Sequence, residues 1–432
     1  MPDIGQQQQV KILIEWSASR SNIKCFSTEV NTQPVTVISS NKLEESNKSP
    51  TKQYVNDELI SINSNNKTSN DVDNGRPNYR IHTFYYQWFP SERTELPQWR
   101  HWGQNYQPNW KEDRRIYPSG THLPPHDIAS NYYPQLGCYN SQNPAVIDTH
   151  MKQVREAGIG VIIVAWHPPL NSTDWDMDLI LDTALRNDVK VAMHVSSYRD
   201  RNPINFRAHL QTWMARYGTH PALYRLPRLR SRGPKRRLPV FYIYDSYSTP
   251  SPAWREIFSE SGTWNLSVRG TTIDAIFLAL LVDAQHRNEI RQARFDGFYT
   301  YFASDSFTYG ATWQNWKALA RFARVNRMIF IPSVGPGYID TQVRPWNKGS
   351  TRPRRHGRYY ETAWQAALGA HVSFVSVTSF NEWHEGSQIE PAAPKSTETF
   401  TYLDYEPEGP RFYLRMTKKW GSLLRKPTPT TH

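Results

Sequence analysis

From residue 79 onward, short apolar runs alternate with stretches whose apolar positions recur every three to four residues. The runs at 81–86, 160–166, 189–195, 239–245, 275–282, 297–302, 328–333 and 372–378 are nearly continuous, as expected of strands covered on both faces. Between them, 144–157, 178–187, 206–217, 253–259, 287–294, 315–325 and 359–368 read as helices, and 411–425 supplies one after the eighth run. Pro144 suits a first helical turn and Gly158 a helix end. An open doubly wound sheet shares this alternation. Eight strand–helix units over about 350 residues favour instead an α/β fold of the (β/α)8 TIM barrel type with long βα loops, spanning 79–432.

Residues 1–78 break the pattern. They hold three aromatics (Trp16, Phe26 and Tyr54), a Gln run at 6–9 and an Asn/Ser/Lys-rich stretch at 41–74. Such a segment buries too little apolar area to offset its ordering entropy, so it reads as a disordered stem or tether. It does not open on a basic-then-apolar signal pattern.

Composition narrows the function classes. The chain of 432 residues carries 16 Trp, 24 Tyr and 17 Phe, an aromatic load foreign to disordered or collagen-like proteins. No apolar run reaches the roughly 18 residues a membrane-spanning helix needs. Cys25 and Cys138 are the only cysteines, which excludes a disulfide framework and a thiolate metal cluster. The net charge of +12 invites a nucleic-acid reading, but six Arg and one Lys lie within 225–237 and four Arg within 352–358, with no acid in either stretch. Without those two segments the chain stands at +1, so the charge reads as two arginine-rich surface loops on a near-neutral body.

In a barrel of this kind, chemistry is carried just past the C-terminal strand ends. Those positions hold Tyr85, Tyr86 and Trp88; Trp166; His194 and Tyr198; Tyr244 and Asp245; Tyr299 and Tyr301; Tyr338, Asp340, Arg344, Trp346 and Asn347; and Asn381, Glu382, Trp383, His384 and Glu385. Any one of these rings could be rim packing. Their accumulation, mixed with carboxylates, amides and histidines, suits a ligand with apolar C–H faces and many hydroxyls, a sugar. Glu382 and Glu385 carry the sharpest signal, because glycosidic cleavage needs two carboxyl groups flanking the bond. Three residues apart on a turn, their Cβ atoms lie about 5–6 Å from each other, which favours a retaining outcome and lets one carboxyl raise the pKa of the other. A bare pair at this spacing is more often a solvated helix face; Asn381, Trp383 and His384 around it, and the apolar strand before it, reverse that weighting. No second His follows at zinc-site spacing, and no phosphate loop or nucleophile elbow is present.

Several stretches resemble glycoside hydrolase family 99, the endo-alpha-1,2-mannosidases: Ile81-His-Thr-Phe-Tyr-Tyr-Gln-Trp88, Phe241-Tyr-Ile-Tyr-Asp-Ser-Tyr247, Gly337-Tyr-Ile-Asp-Thr-Gln-Val-Arg-Pro-Trp-Asn347 and Thr378-Ser-Phe-Asn-Glu-Trp-His-Glu-Gly-Ser-Gln-Ile-Glu390 among them. The resemblance implies a retaining hydrolase that cuts internal alpha-1,2-mannosidic linkages of glucosylated high-mannose N-glycans in the Golgi lumen. It implies Glu382 as the base at the sugar 2-hydroxyl, kept ionised, and a 1,2-anhydro sugar intermediate. It implies Glu385 as the acid, kept protonated, that becomes the base for water. No metal or other cofactor is called for. The expected partners are N-linked high-mannose glycans or mannose oligosaccharides; nucleic acid is not expected, and membrane contact only through an anchor not visible in this chain. Where the family carries His-x-Glu-Pro-Tyr, this chain reads His194-Val195-Ser196-Ser197-Tyr198, so a substrate-contacting carboxylate gives way to a hydroxyl. That departure motivates an alternative, a catalytically weak or inactive glycan-binding barrel. A third reading assigns polyanion binding to the 225–237 loop. Sequons at Asn66, Asn171 and Asn265 fit a lumenal protein.

Overall fold

The computed structural model describes residues 76–89, 99, 101–108, 117–169, 177–230, 236–260 and 266–424. Of the stem expected at 1–78, residues 1–75 lie outside the described residues, as do the three sequon asparagines, and Asn78 already belongs to the first strand. The strands are β1 (Asn78–Tyr85), β2 (Ile159–Trp166), β3 (Lys190–Val195), β4 (Arg225–Pro227), β5 (Arg237–Ile243), β6 (Ile276–Leu280), β7 (Gly297–Tyr299), β8 (Ile329–Ile331), β9 (Ser333–Val334) and β10 (Val375–Val377). Nine of them pair in parallel in the order β8-β7-β6-β5-β3-β2-β1-β10-β9. The two ends of that order, β8 and β9, are consecutive in the chain and separated only by Pro332, which has no N–H to give a ladder. Segment 329–334 therefore acts as one stave, pairing with β7 through β8 and with β10 through β9, and the sheet forms a nearly closed barrel of eight staves. The expected TIM barrel is observed. The hairpin strand β4, antiparallel to β5, was not foreseen; its Leu226 is the buried apolar residue of an arginine-rich run.

Helices α1 (Pro144–Glu156), α2 (Met177–Arg186), α3 (Pro203–Tyr217), α4 (Ser251–Phe258), α5 (His286–Gln292), α6 (Trp316–Val325), α7 (Arg358–Gly369) and α8 (Phe412–Gly421) cover the barrel, each within a few residues of its expected span. Asn143 caps α1 through its side chain on Ala145 N, with Pro144 at the first turn, and Asn202 and Asn205 form a reciprocal capping box on α3. Trp213, Trp254, Trp316 and Trp364, from α3, α4, α6 and α7, are fully buried in the outer layer. The barrel interior is aromatic rather than aliphatic. Phe84 meets His194, Tyr242 and Tyr299 at centroid distances of 5.0, 5.9 and 5.8 Å, and His82 Nδ1 lies 2.6 Å from the Tyr242 hydroxyl. Burial pushes His82 down to about 3, so it stays neutral.

The arginine-rich segments are not simply solvated loops, which corrects the sequence reading. Arg228 binds Asp274 and Asp296 at 2.5 and 2.9 Å beneath the barrel, where Arg269 reaches the same two carboxylates. Arg354 is buried in a cage of Tyr132, Tyr405 and Tyr413, its guanidinium carbon 4.6, 4.9 and 4.5 Å from the ring centroids. Carboxylates and π faces far along the chain recruit these side chains, so local charge density overstated the exposed charge. Arg232 and Lys235 lie outside the described residues.

Candidate active site

The segment after β10 folds back on itself as a tight loop. Ser379 Oγ accepts the Glu382 N–H at 2.8 Å, Ile389 N donates to Ser379 O at 2.9 Å, and Phe380 N donates to Phe84 O at 2.8 Å. Gly386 has φ +56, and a Cβ there would lie 2.7 Å from the Ile339 carbonyl oxygen. Only glycine tolerates that conformation and that approach. From behind, Arg354 donates to Gly386 O at 2.9 Å and Gln388 O at 2.7 Å.

This loop carries Glu382, fully buried, and Glu385, half-buried at the wall of a cleft. The cleft holds about 450 Å³ of empty space and is lined by Phe302, Phe307, Tyr338, Arg344, Trp346 and Glu385, among others. Burial first, then the charge of Glu385, raises the Glu382 carboxyl well above the usual carboxylate range, against which only the His384 N–H and Arg344 act. Burial likewise raises Glu385 to about 7, opposed by Arg344 and reinforced by Asp340. The expectation that Glu382 is the group kept ionised therefore meets an environment that raises the proton affinity of both. The two carboxyls feel each other's charge, so they titrate as a pair rather than as separate groups.

Neutral hydroxyls surround them. Tyr86 and Tyr301 share a hydrogen bond of 2.5 Å, and burial, with Glu382 and Glu385 adding, holds both phenols well above their ordinary value. Tyr338 donates to Asp340 Oδ2 at 2.9 Å; Arg344 Nη1 and Asn347 Nδ2 reach the same oxygen at 2.7 and 2.9 Å. Asp340 is thus a buried anchor that aims Tyr338, Arg344 and Asn347 into the cleft. Trp346 is fixed by its indole N–H on Gln107 O at 3.0 Å. Trp88 stacks between Tyr86 and His101 at 4.3 and 5.4 Å. His194, held neutral at about 3 by burial, lies flat on Tyr301 at 5.7 Å and bonds the Tyr299 hydroxyl at 3.0 Å. Tyr244 abuts His194 and Tyr301.

Asp245 is buried in a left-handed conformation at φ +47, and burial raises it to about 6. Its Oδ1 accepts the Tyr247 hydroxyl at 2.9 Å, while Oδ2 has no hydrogen-bond partner. Tyr198 is half-buried and donates to Asn205 Oδ1 at 3.2 Å, on the α3 side of the site. Ser196 is buried at the end of β3.

Other expected side chains are not brought to the cleft. Tyr85 alternates with Phe84 and Tyr86 and so points outward, its hydroxyl 3.0 Å from His150 Nδ1 on α1. Trp166 likewise packs outward against Trp213 of α3 and Phe241. Tyr299 is fully enclosed in the barrel interior beneath His194. Asn381 is structural: its amide takes the Tyr86 N–H at 2.8 Å and donates to Tyr86 O at 2.7 Å, stitching the ends of β1 and β10 together. Trp383 points away from the cleft. His384 is buried against Phe89 at 5.4 Å and held near 3 by burial and then Arg344.

Sequence reasoning missed what Trp383 is attached to. Its Nε1 donates to Glu390 Oε2 at 2.9 Å, which also accepts the Tyr139 hydroxyl at 2.8 Å, while Glu390 Oε1 lies 3.1 Å from His150 Nε2. All four residues are buried. This network ties the Glu382 to Glu385 turn to helix α1. Glu390 closed the strand 8 motif in the sequence, but nothing local indicated a partner 240 residues away.

The chain matches the family described as Glycosyl hydrolase family 99 over residues 77–426. It is 46% identical over 358 residues to the glycoprotein endo-alpha-1,2-mannosidase of Rattus norvegicus, covering 81% of this chain and 76% of the rat protein. It is 46% identical over 350 residues to a glycoprotein endo-alpha-1,2-mannosidase-like protein of Homo sapiens, covering 79% of this chain and 75% of that one. The solved structure of the GH99 endo-alpha-mannosidase from Bacteroides thetaiotaomicron superposes with a TM-score of 0.73 at 37% identity, covering 81% of this chain and 98% of the bacterial one.

Proposed function

This chain belongs to glycosyl hydrolase family 99 and is a glycoside hydrolase acting on mannose-containing glycans; from that premise we propose that it is a retaining endo-alpha-1,2-mannosidase of glucosylated high-mannose N-glycans. The observation that carries the reading is the coupled carboxyl pair, Glu382 buried and Glu385 at the cleft wall, ringed by the neutral hydroxyls of Tyr86, Tyr301 and Tyr338. The reaction runs in two displacements. Glu382 takes the proton from the sugar 2-hydroxyl as O2 attacks C1, and Glu385 gives its proton to the departing glycosidic oxygen, leaving a 1,2-anhydro sugar. Water then attacks C1, giving its proton to Glu385, while O2 leaves and recovers its proton from Glu382. Two inversions give net retention.

The raised proton affinity of Glu382 serves this route, because a buried carboxylate is a stronger base toward an alcohol than a solvated one. Glu385 near 7 is an acid matched to neutral pH. The pair needs one proton between them, with Glu382 ionised and Glu385 protonated when sugar is bound; as Glu382 takes the proton of O2, Glu385 gives up its own, so the pair carries one negative charge before and after the step. Asp245, whose buried Oδ2 lacks a hydrogen-bond partner, is a further sugar contact, with Trp88, His194, Tyr198, Tyr244, Trp346 and Asn347 completing the lining. Residence in the Golgi lumen is part of the same proposal, and microscopy of the full chain against Golgi markers tests it. Among the described residues, no helix is long and apolar enough to cross a membrane.

Incubating the purified protein with a glucosylated high-mannose glycan should release a glucosyl-mannose fragment with retained anomeric configuration. Absence of any fragment at high enzyme concentration would refute the reading. Ser196, buried at the end of β3, favours the second reading of weak catalysis. A Ser196→Glu variant that gains turnover on the same substrate would support that second reading, and one that loses it would speak against it.

A further inference from the structure

The two arginine-rich segments meet different fates in the fold. Arg228 is consumed by Asp274 and Asp296, and Arg230 donates to the Phe295 carbonyl. In the second segment Arg354 is buried, and Arg352 donates to the carbonyls of Asp305, Ser350 and Thr351. Arg355 and Arg358 differ: both are exposed, and their guanidinium groups have no hydrogen bond or ion pair among the described residues. They border a recess open to solvent, whose remaining wall includes Trp313, Tyr359, Arg352 and His356.

Three features make this recess more than a charged surface. The chain turns into it through three consecutive left-handed residues, Arg355, His356 and Gly357 at φ +49, +51 and +82. The first two are non-glycine, a conformation that costs each roughly 1 kcal/mol and is concentrated at binding sites. Next, an aromatic wall adjoins the cations: Trp313 and Tyr359 pack at 5.0 Å and 56°, and Trp313 remains partly exposed. Finally, the recess shares a wall with the catalytic cleft. The Tyr359 hydroxyl donates to Ala303 O at 2.8 Å, and Ala303 lines the cleft; Arg352 and Tyr338 exchange backbone hydrogen bonds of 3.0 and 2.8 Å, and Tyr338 lines it too. The acids nearby form no ion pair with Arg355 or Arg358 among the described residues. Glu408 is paired with His356 at 3.0 Å, and Asp305 Oδ1 accepts the Trp313 N–H at 3.0 Å; Glu361 sits on the first turn of α7.

We propose that this recess is an accessory subsite for an anionic sugar residue, a phosphorylated hexose, carried by the same glycan that occupies the cleft. Two guanidinium groups unpaired among the described residues match phosphate oxygens, and the partly exposed indole beside them matches the C–H face of a pyranose ring. An acidic peptide would use the arginines but not the ring wall. The glycan half of the inference rests on the glycosidase reading; the anion half does not.

The test is calorimetric titration of the full chain with mannose 6-phosphate, mannose, inorganic phosphate and a Glu-rich peptide, alongside cleavage of a neutral glucosylated high-mannose glycan. Mannose 6-phosphate should bind saturably, at least about tenfold more tightly than mannose or inorganic phosphate, and more weakly as salt rises. An Arg355→Ala/Arg358→Ala double variant should lose at least about tenfold in that affinity, while its kcat/KM on the neutral glycan stays within about twofold of the parent. Trp313→Ala should lose the preference for mannose 6-phosphate over inorganic phosphate. Undetectable hexose-phosphate binding, equal binding by the double variant, or tighter binding of the peptide would each overturn the proposal. If the parent binds mannose 6-phosphate through the two arginines but cleaves no glycan, the glycosidase reading fails and the anion subsite stands.

Discussion

Replacing Glu385 with Gln should make the protein less active and, above neutral pH, more stable. In the folded chain burial lifts Glu385 from 4.5 to about 7. At about 1.4 kcal/mol per pH unit, ionising it in place costs on the order of 3 kcal/mol, and its partial exposure brings the expected value to roughly 1–3 kcal/mol. The sign follows from linkage. A carboxyl whose folded value lies above its unfolded one takes up a proton on folding, so its stabilising contribution is complete below about 4.5 and is lost as pH rises through about 7. Urea denaturation at pH 4.5 should therefore find parent and Glu385→Gln similar in stability, and at pH 8 the variant ahead by roughly 1–3 kcal/mol. Parent kcat/KM should fall tenfold per unit above about 7, as the acid loses its proton. The variant should lose about 10²–10⁴-fold on natural glycans and recover part of that on aryl mannosides, whose leaving groups need no proton although the attacking water still needs its base. A variant no better at pH 8 than at pH 4.5, or one with parental turnover on glycans, would refute the assignment of Glu385 as a destabilised, protonated acid.

Glu382→Gln should abolish turnover on glycans and on aryl mannosides alike, because the base is needed whatever the leaving group; rescue by an aryl substrate would sink its role. Trp383→Phe removes the donor to Glu390 and loosens the catalytic turn, so kcat should drop about tenfold with KM nearly unchanged and stability lower by about 1–2 kcal/mol, read by steady-state kinetics and denaturation. Arg228→Leu leaves Asp274 and Asp296 with one cation fewer and should cost about 3–5 kcal/mol without moving the pH profile of the surviving activity; a shifted profile would mean the cluster reaches the site.

Much of the barrel was legible along the chain. Eight apolar runs marked eight staves because a strand buried on both faces has no polar alternation to obscure it. The pair Glu382 and Glu385 was legible because short spacing on a turn enforces proximity whatever the rest of the fold does. Tyr85 and Trp166 were not, because strand parity decides whether a side chain enters the barrel or meets a helix. A continuous apolar run carries no phase from which to read that parity.

What the sequence alone determined, then, is the order and number of the staves, the carboxyl pair, and the substitution of Ser196. These depend on residues near one another in the chain. Only the tertiary structure decided that Glu390 and His150 hold the turn through Trp383, and that Arg228 and Arg354 are internal while Arg355 and Arg358 are exposed with no ion pair among the described residues. It also decided that both glutamates have raised proton affinity. Burial and partners set those properties, and in a parallel barrel the partners come from strands and helices hundreds of residues apart.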